Sequence, residues 1–117
     1  VSEPTFDADG YPTEATLRAV RRWPVKTPDD CTALLAYVGR AWHWPDMFQA
    51  APRLSRPFRG SRTLERRYRL VTGGWSGNES LVAALDGNRM FTMLCWRESH
   101  RGGLHVYAVP ERIEEPR

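Results

Sequence analysis

The stretch Thr72 to Ser80, TGGWSGNES, admits three chemistries. Gly74 to Asn78 follows the G-x-S-x-G nucleophile elbow, with Trp75 and Gly77 around Ser76, until its last position, where Asn78 stands in place of glycine. Gly73 and Gly74 lead into a helix start, where free backbone N–H groups favour an anion, but the Walker pattern and its lysine are absent. Ser76 to Glu79 also spells S-x-x-E, a capping box in which the serine hydroxyl accepts from the Glu79 amide and the carboxylate reaches back to the Ser76 amide. This third reading fits without exceptions and outweighs the other two, since a nucleophile also needs a base held by an orienting group.

Two further groups of residues invite chemistry. If Gly102 and Gly103 are the central residues of a hairpin turn, Arg101 pairs with Leu104, His100 with His105, Glu98 with Tyr107 and Trp96 with Val109. That register gathers Glu98, His100 and His105 on one sheet face, the minimum for a transition-metal site. At a strand tip without supporting partners the plainer reading is a solvated polar end, so no metal and no cofactor is expected. Arginine is the other signal, since all but one of the 17 basic residues are Arg, and Arg53, Arg56, Arg59, Arg62, Arg66, Arg67 and Arg69 crowd one window against the single acid Glu65. With Phe58 and Tyr68 interleaved, the window suits phosphate contact and base stacking; a solvated face in an Arg-biased chain is the commoner cause of such a run and outweighs it.

These residues need elements to position them. PTEATLRAVRRWP predicts a helix capped by Thr13, with Leu17, Val20 and Trp23 inward and Pro24 as its end. TPDD predicts a second, with Thr27 as cap, Pro28 at the first position and Leu34, Leu35, Val38 and Trp42 as its apolar stripe before Pro45. Trp42 and Trp44 are two apart, so one helix stripe cannot bury both, and one of them should face elsewhere, packed under the long loop in preference to standing exposed as an anchor for a partner. From Arg66 the period changes to two, placing Tyr68 and Leu70 on one strand face and Arg67, Arg69 and Val71 on the other. SGNESLVAALDGN predicts a helix with Leu81, Val82 and Leu85 inward and Gly87 as its left-handed stop. RMFTMLCWRESH and LHVYAVP read as two strands of a hairpin. The expected fold is a single α+β domain, order α-α-β-α-β-β, with a small, mostly antiparallel sheet packed against helices.

Residues 1–12, rich in Asp, Glu, Pro and Gly, are expected to lie loosely on the surface, residues 45–63 to form a long basic loop, and residues 110–117 a tail. At 117 residues one core is expected, and no apolar run approaches a membrane span. The acidic N-terminus is unlike a secretory leader and the two cysteines lie inside apolar periodic segments, so a cytoplasmic setting with free, buried thiols is expected.

Taken in order, GYPTEATLRAVRRWP, LLAYVGRAWHWPD, TGGWSGNESLVAAL and MLCWRESHRGGLHVYAV resemble a family of small proteins of tailed bacteriophages and prophages. The GGWSGNE core and the following W…RGG hairpin carry the resemblance, which spans about residues 10–44 and 66–109. It implies a phage-related origin and a bacterial cytoplasm, and brings no catalytic residues with it. The resulting expectation is a non-catalytic accessory protein that binds a host or phage macromolecule, most plausibly a protein, with Gly73, Gly74, Trp75, Ser76, Gly77, Asn78, Trp44 and Arg101 as surface features. Nucleic-acid binding through Arg53 to Arg69 is the second reading, and a small hydrolase or metal-dependent enzyme the third.

Overall fold

A computed structural model describes residues 2–114. Helix α1 spans Glu14–Arg21 and α2 spans Pro28–Ala41. Thr13 caps α1 by accepting from the Thr16 amide at 3.3 Å. At α2 the Asp30 carboxylate accepts from the amides of Lys26 and Thr27, at 2.7 and 3.0 Å, and these two bonds, Lys26 first, hold its carboxyl below the usual range. Leu34, Leu35, Val38 and Trp42 are all buried, each contributing about 1.5–3 kcal/mol of transfer free energy.

The fold is α+β as expected, with four helices and an antiparallel sheet. Helix α3 (Ser76–Gly87) buries Leu81, Val82 and Leu85. Gly87 is not a left-handed stop; it is the last helical residue, and Asn88 both ends α3 and starts a fourth helix, α4 (Arg89–Cys95), in a segment whose sequence reads as strand. The cause is the buried Asn88 amide. Its oxygen accepts from the Phe91 amide at 3.2 Å as an N-cap, and its nitrogen donates to the carbonyls of Val20 and Trp23 at 3.0 and 3.1 Å. With the cap fixed, Phe91 and Cys95, one turn apart, enter the core. Cys31 and Cys95 are free and buried, and interaction between the two thiols together with burial pushes the Cys95 thiol well above its ordinary pKa.

Four strands, β1 (Phe48–Ala50), β2 (Thr63–Val71), β3 (Trp96–His100) and β4 (Leu104–Ile113), form one sheet in the order β1-β2-β4-β3. Tyr68 and Leu70 of β2 and Tyr107 and Val109 of β4 are buried in the main apolar cluster with the helices. Central β4 also buries Val106 and Ala108, which stand opposite Arg69 and Arg67, so side chains on both its faces are buried in this stretch; its nearly unbroken apolar run follows from that.

The basic segment 45–63 is less irregular than its composition suggests. Pro45–Met47 is a short helical turn, Phe48–Ala50 pairs with β2, and Ser55 bridges Glu65. Residues 2–12 are likewise tied down: the Thr5 amide donates to the Thr16 hydroxyl at 2.8 Å, the Thr13 amide donates to the Thr5 carbonyl at 3.0 Å, and Asp7 closes a turn by accepting from the amides of Asp9 and Tyr11. Strand β4 continues into the expected tail as far as Ile113, and residues 115–117 lie outside the described residues.

Candidate functional site

The turn between β2 and α3 is built around Asn78, whose side chain is fully buried. Its oxygen accepts from the His43 amide at 2.9 Å, and its nitrogen donates to the carbonyls of His43 and Thr72 at 3.0 and 3.2 Å. One amide thus joins the segment leaving α2 to the start of α3. Trp42, just before, is buried and donates its indole N–H to the Val71 carbonyl at 3.2 Å. Trp44, just after, sits at φ +63°, a left-handed conformation that costs a bulky residue about 1–3 kcal/mol and persists only where the surroundings impose it.

Two glycines complete the seat. Gly73, at φ +64°, lies under the Trp44 indole, where a Cβ would fall 2.5 Å from the ring. At Gly77 a Cβ would fall 2.1 Å from the ring of Trp75. The rings then lie in a row: Tyr11 stacks on Trp75 with centroids 5.0 Å apart and planes at 9°, Trp75 meets His43 at 4.6 Å, and His43 meets Trp44 edge-on at 4.5 Å. Trp44 remains 40% exposed and Tyr11 37%. Each such ring pair is worth about 0.5–1.5 kcal/mol beyond burial.

The capping box expected at Ser76 does not form. Trp75, anchored between Tyr11 and His43, takes the extended cap conformation (φ −81°, ψ 127°), so the helix starts at Ser76 itself and its hydroxyl has no hydrogen-bond partner among the described residues. Glu79 instead accepts from the Thr72 hydroxyl at 3.1 Å, and that hydroxyl oxygen accepts from the Gly74 amide at 3.3 Å. Among the described residues no base is bonded to Ser76, and the Glu79 carboxylate occupies the first turn where an anion would have to compete with it. No protein-family model, curated protein or solved structure matches this chain. The geometry of the site is that of a scaffold holding four rings at the surface. Arg101 is exposed at the hairpin tip, beside this turn, because the Gly103 carbonyl accepts from the Thr72 amide at 3.0 Å.

The hairpin register differs from the expected one by a residue. Arg101, Gly102 and Gly103 form a three-residue turn, His100 pairs with Leu104, Ser99 with His105, Glu98 with Val106 and Trp96 with Tyr107. A one-residue slip exchanges faces, and the core decides which: Tyr107 and Val109 must pack inward, so Glu98 and His100 are turned to the open face and away from His105. Glu98 and His100 bond to each other at 3.0 Å, which together with Arg67 and Arg69 nearby holds the Glu98 carboxyl below the usual range. His105 accepts or donates at Nδ1 with the Ser99 hydroxyl at 2.9 Å, and the Trp96 indole N–H donates to the same hydroxyl oxygen at 3.0 Å. Among the described residues no three His, Cys, Asp or Glu side chains are grouped to hold a metal ion.

The seven arginines do not act as one patch. Arg66 pairs with Glu111 at 2.6 Å and also donates to the Ala51 carbonyl; Arg56 pairs with Glu114 at 2.8 Å, and Arg62 donates to the Glu114 carbonyl at 3.1 Å. Glu111 of β4 and Glu114 just after it thus neutralise part of the basic segment. Tyr68 is in the core and cannot stack on a base, whereas Phe58 is 67% exposed beside Arg59. The remaining arginines, Arg53, Arg59, Arg67 and Arg69, have no carboxylate within ion-pair distance among the described residues.

His43, Tyr11 and Asn88 escaped the sequence reading. His43 and Tyr11 are brought to Trp75 by tertiary contacts that no local pattern carries. Asn88 did leave a signal, an asparagine three residues before Phe91 and seven before Cys95. The helix it starts presents Met90, Met93 and Leu94 to solvent, with Trp96 following, a Met-rich apolar surface of the adaptable kind. No helix among the described residues is long and apolar enough to cross a membrane.

Proposed function

We propose that this chain is a non-catalytic, phage-type accessory module that binds a macromolecule through the row Tyr11, Trp75, His43 and Trp44. The observation that carries this reading is Trp44: an exposed indole held at positive φ, seated on Gly73, beside a backbone segment clamped by a buried asparagine. Strain maintained at the surface points to use, and exposed tryptophan is the residue type enriched at binding hot spots. Because Trp75 is stacked on Tyr11 and touches His43, and the Trp44 indole lies over Gly73, both indoles already have ring surface covered, which favours a protein partner over stacked bases. The resemblance carried by the GGWSGNE core and the W…RGG hairpin supports a phage origin and a bacterial cytoplasmic setting.

A second reading, nucleic-acid binding, is favoured by one observation, exposed Phe58 beside Arg59 with Arg53 nearby in the chain and neither arginine ion-paired. Affinity capture from bacterial lysate, with and without nuclease, separates the two. The first reading expects a captured protein that survives nuclease and is lost with Trp44→Gly, a substitution that tolerates the left-handed backbone. Capture that nuclease abolishes, and that Arg53→Gln with Arg59→Gln weakens, would establish the second.

A further inference from the structure

The open face of the sheet carries a groove of about 760 Å³ whose lining includes Gln49, Arg67, Arg69, Glu98, Leu104 and Val106. That volume lies in the range of small-molecule sites. One rung crosses all four strands, Gln49 opposite Arg69, Arg69 opposite Val106 and Val106 opposite Glu98. Polar side chains therefore stand on either side of an apolar floor made by Val106 and Leu104. No aromatic ring lines the groove, so it offers no stacking platform for bases.

The charges in it are unbalanced. Glu98, the groove's one acid, is engaged by His100. The two guanidinium groups, Arg67 half-buried and Arg69 exposed on the same strand face, have no carboxylate within ion-pair distance among the described residues, although Arg66, next to Arg67 in the chain, and Arg56 are both paired. Planar guanidinium donors match carboxylate and phosphate oxygens, and a partly desolvated pair binds them more strongly than a solvated one.

We propose that this groove is a binding site for a small amphipathic anion, a carboxylate or phosphate monoester on an apolar body. The head group lies between Arg67 and Arg69, and the apolar part lies along Val106 and Leu104. The site is separate from the aromatic row and does not depend on the function proposed for it.

Octanoate and octyl phosphate are the two probes, with octanol as the neutral counterpart, followed by amide chemical shifts of the full chain below the probes' micelle concentrations. Saturable binding of either anion is expected, with shifts centred on β2 and β4, weakened about tenfold or more in the double variant Arg67→Gln, Arg69→Gln and by a similar factor in octanol. Preference for octanoate or for octyl phosphate identifies the head group. Glu98→Gln, which removes the groove's one acid, is expected to tighten binding about two- to threefold. Should the double variant unfold, the exposed Arg69→Gln alone is expected to weaken binding at least about threefold. The proposal is overturned if neither anion saturates, if octanol binds as tightly, if the arginine variants bind unchanged, or if the shifts centre on the Met90, Met93 and Leu94 surface of α4.

Discussion

The aromatic row and the arginine-rich strand both display residue types that bind partners, yet they are held in opposite ways. Tyr11, Trp75, His43 and Trp44 are fixed by neutral contacts: stacked rings, two glycine clearances and the buried Asn78 amide, whose oxygen and nitrogen are both bonded. Arg56 and Arg66 are fixed by the partly exposed carboxylates of Glu114 and Glu111, and Arg67 and Arg69 by no carboxylate among the described residues. The difference predicts that the first surface is pre-organised and indifferent to salt, while the second is responsive to ions and available to an incoming anion.

Removing the clamp tests the first half hardest. Asn78→Ala leaves the amide and carbonyl of His43 and the carbonyl of Thr72 without their partner, and an unfolding titration should show a loss of about 3 kcal/mol; a loss below about 1 would mean that the row is not held by this side chain. Gly77→Ala comes next. Helix propensity alone would make it stabilising by up to about 1 kcal/mol, but the Cβ meets the Trp75 ring, so a net loss of about 1–2 kcal/mol and a red-shifted tryptophan emission are expected. A gain in stability with unchanged fluorescence would show that the ring has room to move.

Arg66→Gln should lower stability by about 0.5–1 kcal/mol, with the difference from wild type shrinking at high salt; a difference independent of salt would contradict the electrostatic half of the contrast. Ser76→Ala should change stability by less than about 0.5 kcal/mol, because the hydroxyl has no hydrogen-bond partner among the described residues. Acid titration adds the smallest effect: the folded pKa values of Asp30 and Glu98 are depressed, so their contribution is present above the unfolded values, near pH 4, and is lost as pH falls through the folded ones. Asp30→Asn should flatten that part of the stability profile.

The stripes of α2 and α3 and the alternation of β2 were legible in the sequence because each follows a local period that matches its burial. The turn was legible as a turn and misread in its chemistry. S-x-x-E describes a local exchange, whereas the cap position is set by Trp75 leaning on Tyr11 and His43, which are 64 and 32 residues away. The hairpin was legible too, but its register is chosen by what Tyr107 and Val109 must bury, not by its glycines alone. Helix α4 was missed for the same reason: seven residues carry little periodic signal, and what commits them is Asn88 bonding to α1's last turn and the residues after it. The seven arginines were legible as a charge cluster and not as separate groups, since their pairing with Glu111 and Glu114 joins residues 45 and 58 apart.

The most direct measurement of the aromatic row's role is hydroxyl-radical footprinting of the chain alone and in complex with the partner it captures. Trp and Tyr side chains are read in the same experiment as those of the basic segment. Oxidation of Trp44 and Tyr11 is expected to fall on binding, while Phe58 and Met93 react as in the free chain. Protection confined to Phe58 and its neighbours, with Trp44 and Tyr11 as reactive as before, would contradict it.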